Sequence, residues 1–174
     1  MNKKVYDRIK IGVKKFRPIL EIARNRDINE SDTVRIITDM LDEIFGWDKY
    51  NEITAEYAIR GQYCDLAIKY EEKLKLLIEV KAINENLREL HLRQAVTYAA
   101  TQGNNWVVLT NGVVWQIYRI RFEQPLQYDL VFTFDFLQQD ISNDDLYEMI
   151  YTLSKEAAKK RCHRRVLRSK QCRK

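Results

Sequence analysis

The sequence predicts an α/β or α+β domain in which a central sheet is flanked by helices, and three observations carry that reading. Two stretches of helical hydrophobic spacing come first. The period then switches to two over three consecutive segments. A second group of strand-like segments follows a single further helix and is built around Asn111-Gly112, a strong short hairpin signal. The order is ααβββαβββα, without internal repeat or low-complexity segment. Glycine and proline together number only seven, far below the roughly 12% of average usage, so most of the chain belongs in regular elements.

Taken in order, "VYDRIKIGVKKFRPILEIARN" (5–25) reads as a helix interrupted at Pro18. "ESDTVRIITDMLDEIFGW" (30–47) is a stronger amphipathic helix: Val34, Ile37, Leu41 and Ile44 share a face, and Gly46 suits its end. Strands are expected near 52–58, 63–70 and 74–81, and a helix near 87–102. "NWVVLTNGVVWQIYRI" supplies two strands, with Trp106 and Trp115 as hairpin or core packing, and "YDLVFTF" supplies a third. Ser142 followed by Asp145 resembles a capping box for a last helix. Residues 1–154 form one domain in this reading, and 155–174 a basic tail, helical or disordered.

Charge divides along the same line. The net +5 conceals a tail with ten Lys or Arg against one acid, a balance of +9, which leaves residues 1–154 at −4. Lys159, Lys160, Arg161, Arg164 and Arg165 are therefore candidate phosphate contacts, and a solvated, solubilising end is the other reading. Cys64, Cys162 and Cys172 make no C-x-x-C pair, so reduced thiols are expected rather than disulfides or zinc. No apolar run approaches the roughly 18 residues of a membrane span, and no signal-type segment opens the chain. The expectation is a cytoplasmic protein.

The hairpin "CDLAIKYEEKLKLLIEVKA" (64–82) poses the chemical question. With a three-residue loop centred on Glu72, Leu66, Ile68 and Tyr70 lie opposite Ile78, Leu76 and Leu74, and one face is wholly apolar. The other face then sets Asp65 directly across from Glu79, with Lys81 two residues on. Facing carboxylates repel unless a positive charge sits between them. Asp65, Glu79 and the main-chain carbonyl of Val80 are hard oxygen ligands suited to Mg²⁺ or Mn²⁺, and Lys81 is placed to steady charge developing on a phosphate. A solvated polar face with Lys69 and Lys75 neutralising the acids fits the same spacing.

Asp65, then Glu79-Val80-Lys81 after thirteen intervening residues, resembles the D…E-x-K signature of the PD-(D/E)XK nuclease superfamily, with Cys64 where the name places proline. "QAVTYA" is similar to the Q-x-x-x-Y motif of its RecB-like branch. "NESDTVRIITDMLDEIFGWD" and the "TNG" hairpin resemble the flanks of the N-terminal nuclease domain of type I restriction R subunits, over roughly residues 28–137. The resemblance implies a restriction-endonuclease-like fold with a mixed central β-sheet, and a divalent-metal-dependent DNA endonuclease. It also implies catalytic roles for Asp65, Glu79, Lys81, Gln94 and Glu30, with Tyr98 toward the nucleic acid. The implied partners are DNA and other restriction-modification subunits or a second copy of the chain. No G-x-x-x-x-G-K-[ST] loop is present among the five glycines, so no helicase motor is expected within this sequence. The competing class is a non-catalytic nucleic-acid-binding or interaction module that keeps the fold.

Overall fold

A computed structural model describes residues 1–59, 62–138 and 143–160. The elements are α1 (Lys3–Asn25), α2 (Glu30–Glu43), β1 (Ile53–Ile59), β2 (Gln62–Tyr70), β3 (Lys73–Val80), α3 (Glu89–Thr101), β4 (Trp106–Thr110), β5 (Val114–Arg121), β6 (Gln127–Asp135) and α4 (Asn143–Thr152). Strand order follows chain order, β1 to β6. Every pairing is antiparallel except β3 with β4, which run parallel because α3 returns the chain to the same end of the sheet. This is the mixed α/β architecture with a six-stranded sheet flanked by helices, consistent with a restriction-endonuclease-like fold.

The sheet has a core on each side. Leu66, Ile68, Ile78, Val80, Ile117 and Trp115 pack against the apolar stripes of α1, α2 and α4; Ala67, Leu77, Val107 and Leu109 pack against Leu92, Ala95 and Ala99 of α3. Burial on both faces explains why β3 and β4 read as continuous apolar runs. Among the described helices none is long and apolar enough to cross a membrane.

The expected break at Pro18 does not occur. α1 continues through it, losing one backbone donor, because Val13, Phe16, Leu20 and Ala23 bury the same stripe before and after the proline. Packing on both sides overrides the local preference. The N-terminal caps of α1 and α2 are asparagines: Asn2 accepts from the Val5 amide and Asn29 from the Asp32 amide. Gly46 has φ +79°, and a Cβ there would meet the Arg8 guanidinium at 2.7 to 2.9 Å, so the chain turns there on a residue that only glycine fits. Ser142 lies outside the described residues, although α4 begins at Asn143 as its position required.

The "TNG" hairpin is present. Asn111 Oδ1 accepts from the amides of Val113 and Val114, Gly112 adopts φ +85°, and Trp115 donates to the Gly112 carbonyl. Trp115 is fully buried and stacks on Phe134. The other hairpin differs from the expected three-residue loop. Tyr70 pairs with Lys73 rather than Leu74, leaving a two-residue turn in which Glu71 and Glu72 both take positive φ, and a register shift after Ile68 restores the pairings Ile68 with Leu76 and Leu66 with Ile78.

Residues 155–160 are helical and packed on the body. Arg8 grips Glu156 with two bonds of 2.7 Å, Lys155 pairs with Glu52 at 2.7 Å, and Ala157 is buried. Against a desolvation that pushes it up, hydrogen bonding from Arg8 holds the Glu156 carboxyl below its usual value. Truncation after Ser154 is therefore expected to lower the melting temperature, by about 2–4 °C for each kcal/mol lost in a chain of this size, whereas a chain ending at Lys160 keeps it. Equal melting of the two truncations would show that Glu156 and Ala157 contribute nothing.

Candidate functional site

β3 ends at Val80 in the middle of the sheet, and its next residue, Lys81, is still held in line because its amide donates to the Thr110 carbonyl at 2.9 Å. The polar face of the β2–β3 hairpin therefore emerges at this end of the sheet, where α2 begins. Glu30, the first residue of α2, meets Lys81: Lys81 Nζ lies 3.2 Å from Glu30 Oε2 and 3.0 Å from Glu79 Oε1. Asp65 Oδ2 accepts from the Val80 amide at 2.7 Å, so the carboxylate of one strand is locked to the main chain of the next. The structure thus brings Asp65, Glu79, Lys81, the Val80 backbone and Glu30 together. Residues 66–68 and 76–78 keep the register that sets Asp65 toward Glu79.

Three acids share one cation in a partly dehydrated setting. Burial first, and then the neighbouring Asp65 charge, push the Glu79 carboxyl up to about 7, while Lys81 opposes the rise. Asp65 is also raised, chiefly by desolvation, against the pull of the Val80 amide and Lys81, with Glu30 and Glu56 adding to the rise. Burial alone lowers Lys81, but Glu79 and Glu30 more than offset it, so the ammonium stays charged. Glu56 is exposed and takes φ +48° on β1, a left-handed residue within the strand next to β2. Cys64, standing where the motif's proline is expected, is fully buried, and desolvation followed by the charges of Glu79 and Asp65 pushes its thiol up to about 12. That thiol is inert.

Among the described residues no three His, Cys, Asp or Glu side chains form a cluster able to hold a metal ion. The donor set is two carboxylates. Asp65 engages the Val80 amide through Oδ2, and Glu79 meets the Lys81 ammonium through Oε1. Two carboxylates among excess negative charge fit a divalent cation that completes its shell with a main-chain carbonyl and exchangeable waters.

The remaining expected residues are distributed differently. Gln94 lies on α3, and its side chain is outside the described set. Tyr98 departs from the expectation that it faces nucleic acid: it is 2% exposed, packed between α3 and the sheet with Ala95, Ala99 and Tyr118, because α3 buries that stripe against β3–β5. His91, which lies outside the expected set, has a largely buried side chain with Nε2 3.3 Å from Glu85, in the loop that Asn111 holds by donating to the Glu85 carbonyl. Lys159 and Lys160 are exposed and lie over the rings of Tyr70 and Tyr151. Arg161, Arg164 and Arg165 lie outside the described residues.

Sequence reasoning gave Glu30 to the site only through family resemblance. Its salt bridge to Lys81 spans 51 positions and leaves no local periodicity to read.

Comparison with curated proteins finds no match, and comparison with solved structures finds none. The family model for the type I restriction enzyme R protein N terminus (HSDR_N) matches residues 37–133, from the middle of α2 through most of β6, including Asp65, Glu79 and Lys81. With more than half of its length matched, the chain belongs to the family of type I restriction enzyme R protein N-terminal domains.

Proposed function

We propose that this domain is a divalent-metal-dependent nuclease of the PD-(D/E)XK type that hydrolyses DNA phosphodiesters, with Asp65, Glu79 and Lys81 at its centre. The observation that carries the reading is the Lys81 ammonium held between Glu79 and Glu30, beside the Asp65 carboxylate, at the end of β3. Mg²⁺ or Mn²⁺, held by Asp65, Glu79 and the Val80 carbonyl, would neutralise phosphate oxygens and lower the pKa of a bound water. Lys81 contributes fixed positive charge where a phosphate gains negative charge as water adds to phosphorus and the bond to the leaving sugar oxygen breaks. Glu30 and Glu79 orient that ammonium, and the Val80 amide orients Asp65, so the groups are positioned before substrate arrives. Gln94 is assigned to positioning. DNA is the substrate, and other restriction-modification subunits or a second copy are the partners in this reading.

Incubating plasmid and single-stranded DNA with the pure protein in Mg²⁺, Mn²⁺ or chelator tests the reaction: metal-dependent cutting is expected, and binding without cutting would favour the non-catalytic module. A second readout concerns the ion itself. At a hundredfold excess over Kd, a cation that binds only the folded state stabilises it by about 2.7 kcal/mol. Asp65→Asn should remove most of that gain. If neither ion changes the melting of the unsubstituted protein, the carboxylates are a solvated face and the metal assignment falls.

A further inference from the structure

At the pole of the sheet opposite the carboxylates, where the β2–β3 hairpin turns, three lysines converge on one ring. Lys75, Lys155 and Lys159 place their ammonium groups 5.9, 5.6 and 5.5 Å from the centroid of Tyr70. Only Lys155 has an acid: it pairs with Glu52, whereas Lys75 and Lys159 form no ion pair among the described residues. Gathering like charges from β3 and from residues 155–160 costs free energy unless an anion joins them.

The same lysine borders a groove of about 560 Å³ lined by Lys73, Lys75, Gln102, Asn104, Asn105 and Trp106, with Glu72 and Ala158 also in its wall. Asn104 is 7% exposed, and its Oδ1 is engaged by the Trp106 amide at 3.1 Å. Its Nδ2 is buried without a hydrogen-bond partner. A buried donor left unmade costs about 1–3 kcal/mol, so an acceptor is called for at this wall. α3 ends here with its last carbonyls already engaged: the Asn104 amide donates to the Ala99 carbonyl at 2.8 Å and the Gly103 amide to the Ala100 carbonyl at 3.2 Å.

We propose that this groove, with Lys73, Lys75, Asn104 and Lys159 around the Tyr70 pole, binds a backbone phosphate of the same DNA whose cleavage is assigned to the Asp65 end. The proposal rests on the nuclease reading for the identity of the polymer. Asp65 and Tyr70 are five residues apart on β2, about 16 Å at the rise of a strand. That is about five steps of 3.4 Å along one DNA strand, a separation within the length of a short duplex. Phosphate contacts of this kind position the duplex without reading its sequence.

The test is fluorescence polarisation with a labelled 20-base-pair duplex in chelator, titrated with salt, using the whole chain and a K75Q/K159Q variant. Loss of that phosphate contact should reduce the slope of log K against log salt by about 0.9. Melting without DNA should not fall, since the substitutions relieve the gathered like charges. Asn104→Asp, which sets an acceptor where the unpaired donor stands, should weaken binding further. An unchanged slope in K75Q/K159Q overturns the proposal, as does lowered melting with unchanged affinity, which would assign the lysines to packing on the Tyr70 ring. Displacement of the duplex by inorganic phosphate or a nucleoside diphosphate at equal phosphate concentration would assign the groove to a free phosphorylated ligand and overturn the backbone assignment. Failure here is separable from failure of the nuclease reading. Lysine-dependent binding without cutting sinks only the chemistry, and cutting without lysine-dependent binding sinks only this site.

Discussion

Lys81→Ala is expected to abolish turnover while the chain still folds. The ammonium sits 3.0 Å from Glu79 and 3.2 Å from Glu30, and its side chain is 14% exposed, so no water-exposed lysine can replace its charge. Removing one preorganised donor from a developing oxyanion typically costs about 10²–10³ in kcat. A cut of at least that size is expected here, with KM for DNA changed much less because most affinity comes from distant phosphates. Folding survives because Glu79, already raised to about 7, becomes neutral when its cation is lost instead of remaining a buried charge. Lys81→Met, which keeps the side-chain volume, controls for lost packing. Steady-state cleavage together with thermal melting decides: near-normal rates in both variants would remove the mechanistic claim, and two unfolded variants would make Lys81 structural. Gln94→Ala is expected to cost less, as a positioning residue on α3 should.

The site was more legible than the geometry that builds it. Asp65, Glu79 and Lys81 stand out because period-two segments bury alternate positions, and charges inside such segments must share a face. The hairpin register near those residues follows from the need to bury Leu66, Ile68, Ile78 and Leu76 together. The turn itself did not follow. Left-handed φ at Glu71 and Glu72 occurs without the Asn or Gly that normally announces it, and the register shift beyond Ile68 hides the missing residue. Pro18 misled in the other direction, since a local breaker was outweighed by a buried stripe that no short window contains. Tyr98 shows the limit of motif transfer: spacing places it on one turn of α3 with Gln94, but only packing decides that the turn faces the sheet. Glu30 and the Tyr70 lysines are long-range meetings, set by how α2 and residues 155–160 dock, and a linear pattern carries no trace of them.

Without divalent ions, stability should fall as pH rises from about 4.5 to about 7, and Glu79→Gln should remove that fall. In the unfolded chain Glu79 ionises near 4.5; in the fold, burial and the Asp65 charge delay ionisation to about 7. Below 4.5 both states carry the proton, and the residue contributes no pH dependence. Between the two values the folded state binds more protons than the unfolded one, so unfolding becomes easier with each step upward in pH. Above 7 the full difference is present, about 3 kcal/mol at 1.36 kcal/mol per pH unit. Asp65 is shifted in the same direction from its lower ordinary value of 3.8, chiefly by desolvation. Lys81, raised from 10.5, contributes stability that is complete below that value and lost only at higher pH, so it does not reshape this window. Urea unfolding in chelator at pH 5, 6, 7 and 8 measures the effect. The unsubstituted chain should weaken across the series, and Glu79→Gln should stay nearly level and be the more stable protein at pH 8. Saturating Mg²⁺ at pH 8 should restore the unsubstituted chain and leave Glu79→Gln nearly unchanged, because the cation binds the ionised carboxylate that the substitution removes. Equal slopes in the two proteins would place the charge of Glu79 in water and undo the electrostatic account of the site.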